Sequence, residues 1–237
     1  MRAGALHPFH IAAGRALVDL LLPVFCVACG RAARTGALPL CAGCARSMPR
    51  ADLEAVREQL ALLPERAGRP DTAFAMWSFV QDGPLQHLQH ALKYGNRPVY
   101  GRALGGLMGP SLRDHLASAS LDGVVPIPLH RARLIERGYN QSHYLAQGIA
   151  DALGLPPPMR DLRRARATRT QTRLGLTARW ENVADAFVAG NGVAGRRVLV
   201  VDDVLTTGAT ACAAALALRE AGAEAVHLAT LAYAARG

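Results

Sequence analysis

What this 237-residue chain lacks narrows its class before any motif is read. No stretch reaches about 18 uninterrupted apolar residues, so no membrane-spanning helix is expected. The apolar patch from Ala16 to Pro23 is interrupted by Asp19 and closed by Pro23, whereas a secretory signal needs a longer uncharged run and a small-residue cleavage site. A short amphipathic helix from about Arg15 to Leu22, packed on the segment C-terminal to it, is expected there, with contact to a membrane surface as the alternative. The protein is expected to be cytoplasmic. No Gly-Lys-Ser/Thr follows a glycine-rich turn, which removes a Walker A loop. The absence of Gly-x-Gly-x-x-Gly after a strand disfavours a dinucleotide-binding fold. Aromatic residues make up 5% of the chain, too few for a long base-stacking platform. Acids are also short: 18 Asp and Glu face 27 Lys and Arg, a formal net charge of +9. That balance suits an anionic partner, and nucleic acid, phosphorylated metabolites and anionic lipid all satisfy it.

One stretch carries recognisable chemistry, Arg197 to Thr210. Val198-Leu199-Val200-Val201 is too short for a helix and rich in β-branched residues, so it reads as a buried strand. Asp202 and Asp203 come next, where such a strand would emerge from a sheet. Thr206-Thr207-Gly208-Ala209-Thr210 then turns the chain into an alanine-rich helix, Ala211 to Ala221, which Gly222 ends. Backbone N–H groups and hydroxyls at a helix N-terminus bind anions. A phosphate can sit in the turn while the two carboxylates reach the hydroxyls of a sugar. The plainer alternative is a strand end and a helix cap with no ligand.

Cys26-Val27-Ala28-Cys29 and Cys41-Ala42-Gly43-Cys44 are two Cys-x-x-Cys pairs, eleven residues apart. Each pair folds back so that its sulfurs converge, and four thiolates complete a tetrahedral shell for zinc. Gly30 and Gly43 suit the tight turns that such ligands need. Disulfides are the alternative, but no feature marks the chain as secreted. With four cysteine ligands and no open position, the zinc is expected to be structural. Cys212 stands alone in the alanine-rich helix and reads as a small buried residue.

The segments between these motifs are less specific. A helix from Asp52 to Leu63 is expected within a connection bracketed by prolines, and Thr72 to Val80 reads as an edge strand. Helices are expected from Leu85 to Tyr94, with Lys93 either phosphate-directed or on the surface, and from Tyr100 to Leu116, where Gly105, Gly106 and Gly109 permit close packing. Gly123 to Pro128 is a short strand ending at its prolines. From Arg131 to Arg179 there are ten arginines and three acids (Glu136, Asp151, Asp161), which concentrates most of the net charge. Arginine forks grip phosphates bidentately, so Arg131, Arg133 and Arg137 are candidates for a mobile loop over a site. Ser142 to Leu153 is a further helix, with Leu145, Ile149 and Leu153 at core spacing.

The 197–210 stretch resembles the ribose-phosphate motif of type I phosphoribosyltransferases. Taken in order, the four cysteines, Leu92-Lys93-Tyr94, Val125-Pro126-Ile127-Pro128, Arg137-Gly138-Tyr139-Asn140-Gln141, Arg169-Thr170-Gln171-Thr172 with Arg179 and Asn182, and the acidic stretch resemble the ComF family from about Leu17 to the end. The resemblance implies an α/β fold: a type I phosphoribosyltransferase-like parallel-sheet domain preceded by a small four-cysteine zinc ribbon. The implied division is an N-terminal helix and zinc element over 1–50, a linker helix over 51–71 and the transferase-like domain over 72–237. Asp202 and Asp203 would be the catalytic pair, holding the ribose hydroxyls directly or through a metal. Thr206, Thr207, Gly208, Ala209 and Thr210 would hold the 5-phosphate, and Arg131, Arg133 and Arg137 the pyrophosphate of phosphoribosyl pyrophosphate with its Mg²⁺. The family also implies a role in natural DNA uptake, with single-stranded DNA and a helicase-like protein as expected partners, and nucleotide metabolism is the alternative role. The chain departs from the family in having no further cysteine pair after the first four, so one zinc is expected. Thr206 stands where purine-type enzymes carry an aspartate for the base proton, which disfavours purine exchange and agrees with an orotate-type loop. Two other functions stay open: a non-catalytic single-stranded DNA binder using the 131–179 arginines, with Tyr139, Tyr144 or Trp180 for stacking, and a phosphoribosyl pyrophosphate sensor without turnover.

Overall fold

The computed structural model describes residues 25–33, 38–166 and 176–235, excepting the side chains of Leu176, Thr177 and Arg179. The expected helix at Arg15–Leu22, the Arg169-Thr170-Gln171-Thr172 segment and the side chain of Arg179 lie outside the described residues. Four strands form one parallel sheet in the order β1-β6-β5-β2: β1 (Thr72–Ser78), β2 (Gly123–Pro126), β5 (Arg197–Leu205) and β6 (Ala225–Tyr233). The aliphatic run of β5 has no alternation because both faces of the sheet are covered. Val198 and Val200 face one core, shared with Val56 and Leu60 of α2 (Leu53–Ala61) and Cys212 and Leu218 of α8 (Ala209–Glu220). Leu199 and Val201 face the other core. There they meet α3 (Pro84–Tyr94), α4 (Pro98–His115) and α6 (Gln141–Leu153) through Leu88, Leu104 and Leu145. Pro126 is tolerated in β2 because it is the last residue of an edge strand.

The glycines of α4 act as the sequence suggests, with one refinement. Helices α4 and α6 pack so closely that a Cβ on Gly105 would overlap the carbonyl of Leu145, and one on Gly109 would overlap Ala152. Gly106 has open space around its own Cβ position. Its role is to receive Gly148 of α6, whose Cβ would lie 2.7 Å from the Gly106 nitrogen and would also overlap the Arg102 carbonyl. This contact locks α6, and with it the segment preceding α6, onto the sheet.

The segment before β1 is part of the same packing. Asp52 caps α2 by accepting from Glu54 N (2.9 Å) and Ala55 N (3.3 Å), and Val56, Leu60 and Leu63 are buried against the sheet. The short helix α1 (Ala42–Ser47) belongs to the cysteine element. Cys26, Leu40 and Met48 of this element sit in one core with Phe74, Trp77 and Leu85. Ser78 N donates to Pro49 O at 2.9 Å, which runs the chain alongside β1.

Two features depart from the sequence reading. Residues 131–137, expected as a mobile loop, form the helix α5 (Arg131–Arg137), capped at its start by His130 and at its end by Gly138 in the left-handed region (φ 78°). The arginine-rich segment also contributes a strand, β3 (Leu162–Arg164), paired antiparallel with β4 (Phe187–Ala189); the six-residue helix α7 (Leu176–Glu181) lies between them. Three residues including two arginines offer no period-2 pattern, so composition concealed this hairpin. No helix among the described residues is long and apolar enough to cross a membrane.

Candidate functional site

All four strands of the main sheet are parallel, so their C-terminal ends share one edge, where ligands of open α/β sheets bind. Asp202 and Asp203 lie near the C-terminal end of β5, one of the two central strands. Successive strand residues point to opposite faces, yet Asp203 N donates to Asp202 Oδ1 at 2.9 Å, which turns the Asp202 carboxylate back toward its neighbour's backbone. Asp203 is 5% exposed. Its Oδ2 is 2.8 Å from Lys93 Nζ, and its Oδ1 accepts from Gln141 Nε2 at 3.2 Å. Asp202 Oδ1 accepts from Ser142 Oγ at 2.8 Å.

The two acids are driven apart. Burial pushes the Asp202 carboxyl up, and the adjacent Asp203 charge adds to this, to about 7. Burial acts the same way on Asp203, but the Lys93 ammonium and the Gln141 amide outweigh it and hold Asp203 below the usual carboxylate range. The carboxylate paired with Lys93 is therefore the more firmly ionised of the two.

The Arg137–Ser142 segment builds the frame around this pair. Gly138 ends α5, Tyr139 is buried with its hydroxyl donating to Leu92 O at 2.6 Å, and Asn140 Nδ2 donates to Ile127 O at 3.0 Å. Asn140 also caps α6 by accepting from Ser142 N at 3.1 Å. Gln141 and Ser142, the next two residues, therefore enter the site from the first turn of α6. Arg137 donates to Gln141 Oε1 at 2.6 Å and lies 5.5 Å over the Tyr94 ring. Neither Gln141 nor Ser142 is among the expected site residues; the Arg-Gly-Tyr-Asn-Gln run is the signal in the sequence that points to them.

Past the acids, Thr206 to Thr210 form a small cradle at the start of α8, a concavity of about 50 Å³. Gly208 adopts the left-handed region (φ 82°), and a Cβ there would overlap Leu60, so the turn depends on glycine. Thr207 Oγ1 accepts from Ala209 N at 3.5 Å. A larger cavity of about 410 Å³ adjoins it, with Asp202 and Thr210 common to both. Its walls include Arg133, Arg137, Arg164 and Lys93. Arg131, expected with them, does not line the cavity, because α5 turns it outward into an exposed position. Arg164 arrives from the unanticipated β3. The remaining described arginines disperse: Arg166 pairs with Asp185, and Arg160 and Arg163 are exposed. Tyr139 and Trp180, considered for base stacking, are 7% and 6% exposed and are core residues.

The four cysteines come together as their spacing suggested. Ligand atoms of Cys26, Cys29, Cys41 and Cys44 all lie within 4.8 Å of one another, and none forms a disulfide. Cys29 and Cys41 sulfurs are 3.6 Å apart. Sulfurs at two corners of a tetrahedron with metal–sulfur bonds of about 2.3 Å lie at nearly that separation. Burial opposes ionisation of Cys26, but the backbone groups of Cys41, Ala28 and Cys29 outweigh it and bring the thiol down to about 6. Gly30, at φ 70°, closes the first knuckle with its N–H on Cys26 O at 2.9 Å. The cluster is compatible with a structural zinc. Cys212 is fully buried in α8 and apart from it.

Comparison with known proteins agrees with this fold. Residues 140–237 match the phosphoribosyl transferase domain family. A DNA utilization protein YhgH of Salmonella typhi is 32% identical over 227 residues, spanning 88% of this chain and 96% of that protein. Competence protein F of Haemophilus influenzae is 33% identical over 151 residues, 61% of this chain and 66% of that protein. Competence protein ComFC of Bacillus subtilis is 35% identical over 99 residues, covering 42% of this chain and 39% of that protein.

Proposed function

The chain belongs to the ComF family, and from that premise we propose that it binds a ribose 5-phosphate or phosphoribosyl pyrophosphate ligand at the β5 edge and acts in DNA uptake. The observation that carries the reading is the pairing of two compartments across Asp202 and Thr210. The 206–210 cradle suits one phosphate: it offers backbone N–H groups at a helix N-terminus and threonine hydroxyls. The larger cavity, walled by Arg133, Arg137 and Arg164, suits the sugar and a pyrophosphate. Between them the acid pair faces the ribose hydroxyls, and the charge on Asp203 stabilises positive charge developing at the anomeric carbon. Mg²⁺ carried by the pyrophosphate would neutralise the leaving group. The four cysteines would hold Zn²⁺, and Cys26, which also belongs to the core, would join that centre to the sheet.

Calorimetric titration with phosphoribosyl pyrophosphate and Mg²⁺ tests the site. Saturable one-site binding is expected in the wild type and none in an Asp202→Ala, Asp203→Ala double variant that retains its zinc. An absence of wild-type binding at millimolar ligand would overturn the assignment. Release of pyrophosphate on adding nucleobases or amines separates a transferase from a sensor. The exposed Arg131 and Arg163 favour single-stranded DNA as a second ligand; its affinity would fall steeply with salt.

A further inference from the structure

Lys93 is the only lysine in the sequence; every other Lys/Arg-type cation is arginine. It lies in the last turn of α3, on the ionised member of the acid pair. The contact is desolvated: Nζ is 2.8 Å from Asp203 Oδ2, with side-chain exposures of 27% and 8%. Its backbone is held too, since the preceding residue, Leu92, accepts the buried Tyr139 hydroxyl at 2.6 Å. Two of the other three oxygens of the pair are engaged as well. Asp203 Oδ1 takes Gln141, and Asp202 Oδ1 takes Ser142 and the Asp203 amide. Three of the four carboxylate oxygens thus carry a protein donor.

Mg²⁺ takes carboxylate oxygens at about 2.0–2.1 Å in octahedral array, and both oxygens of the ionised acid, Asp203, already face protein donors. An ammonium already stands against Asp203, and its charge repels a second cation. The pair does not fit a resident divalent ion. A lysine is suited to this position where arginine is not: its ammonium is a compact point charge that meets a single oxygen, while a guanidinium spreads across a fork.

We propose that Lys93 is the built-in counter-cation of the acid pair, so that the sugar phosphate is held at this site without a divalent metal. A metal is then needed only for the pyrophosphate arm of a ligand that has one. Lys93 is a positioning residue here: it keeps Asp203 ionised and oriented toward the ribose while balancing its charge. The inference rests on the sugar-phosphate reading of the 202–210 site.

The experiment compares ribose 5-phosphate with phosphoribosyl pyrophosphate in calorimetry, in resin-treated metal-free buffer and in millimolar Mg²⁺. No soluble chelator is added, which leaves the cysteine element intact. Wild type should bind ribose 5-phosphate with less than about threefold difference between buffers, and phosphoribosyl pyrophosphate much better with Mg²⁺. Lys93→Met should lose ribose 5-phosphate affinity by about tenfold or more without metal and recover most of it with Mg²⁺. Lys93→Arg, which keeps the charge and guards against a folding failure of the first variant, should fall between. Wild-type binding of ribose 5-phosphate that requires Mg²⁺ overturns the inference and leaves the sugar-phosphate site standing. So does a Lys93→Met protein that binds equally well in both buffers. Failure of wild type to bind either ligand in either buffer refutes the site itself.

Discussion

Replacing Asp202 by Asn should stabilise the protein above neutral pH, although Asp202 sits at the centre of the proposed site. Burial and the neighbouring Asp203 raise its carboxyl to about 7 in the fold, against an unfolded value near 3.8. A raised carboxylate binds more protons folded than unfolded, so its contribution is full below about pH 4 and is lost as pH rises through about 7. A shift of this size corresponds to a ceiling of about 4 kcal/mol at alkaline pH. The cavity opens Asp202 partly to water, which reduces the figure to about 2 kcal/mol. Asparagine keeps the oxygen that accepts from Ser142 Oγ and Asp203 N and removes only the charge. For a chain of this length about 2 kcal/mol corresponds to a melting shift of about 4–8 °C. Melting followed by circular dichroism should show the variant above wild type at pH 8 and converging with it near pH 4. Ribose 5-phosphate binding should fall at the same time. Asp203→Asn makes the opposite case: it leaves Lys93 without its counter-ion and should destabilise at pH 8. An Asp202→Asn protein less stable than wild type at pH 8 would refute the picture of an acid pair held under electrostatic strain.

The packing and the cysteines yield three further outcomes. Cys26→Ser with Cys29→Ser should abolish zinc, read by metal analysis, and lower the melting temperature because Cys26 shares a core with Trp77 and Leu85; unchanged zinc content would contradict the ligand set. Gly148→Ala should cost about 3 kcal/mol by forcing α6 away from α4, whereas Gly106→Ala, with open space, should be neutral or gain up to about 1 kcal/mol; equal melting temperatures would contradict the close helix contact. Gly208→Ala should strain the left-handed turn against Leu60 and reduce ribose 5-phosphate affinity by about tenfold in calorimetry, while retained affinity would remove the cradle from the site.

Features whose signal is local were legible in the order of residues alone. A four-residue aliphatic run followed by two acids and a Thr-Gly turn can form little other than a strand, an edge site and a helix start. The observed β5 and α8 keep that order. Paired Cys-x-x-Cys spacing likewise holds the ligand atoms close, since each pair closes within a few residues. Tertiary structure alone decided which distant residues complete the site. Lys93 could be read equally as a surface cation until α3 brought it to Asp203, more than a hundred positions away in the chain. Gln141 and Ser142 gain their roles only because glycine contacts lock α6 onto α4 and the sheet. Among the arginines, charge density marked the region without sorting its members. Net charge is a sum over residues, whereas facing a cavity depends on helix phase and strand register, which set Arg133, Arg137 and Arg164 inward and Arg131 outward. Burial, too, is a property of the assembled layers: it raises both adjacent aspartates, and the contacts from Lys93 and Gln141, brought in from other elements, then hold Asp203 as the firmer anion of the two.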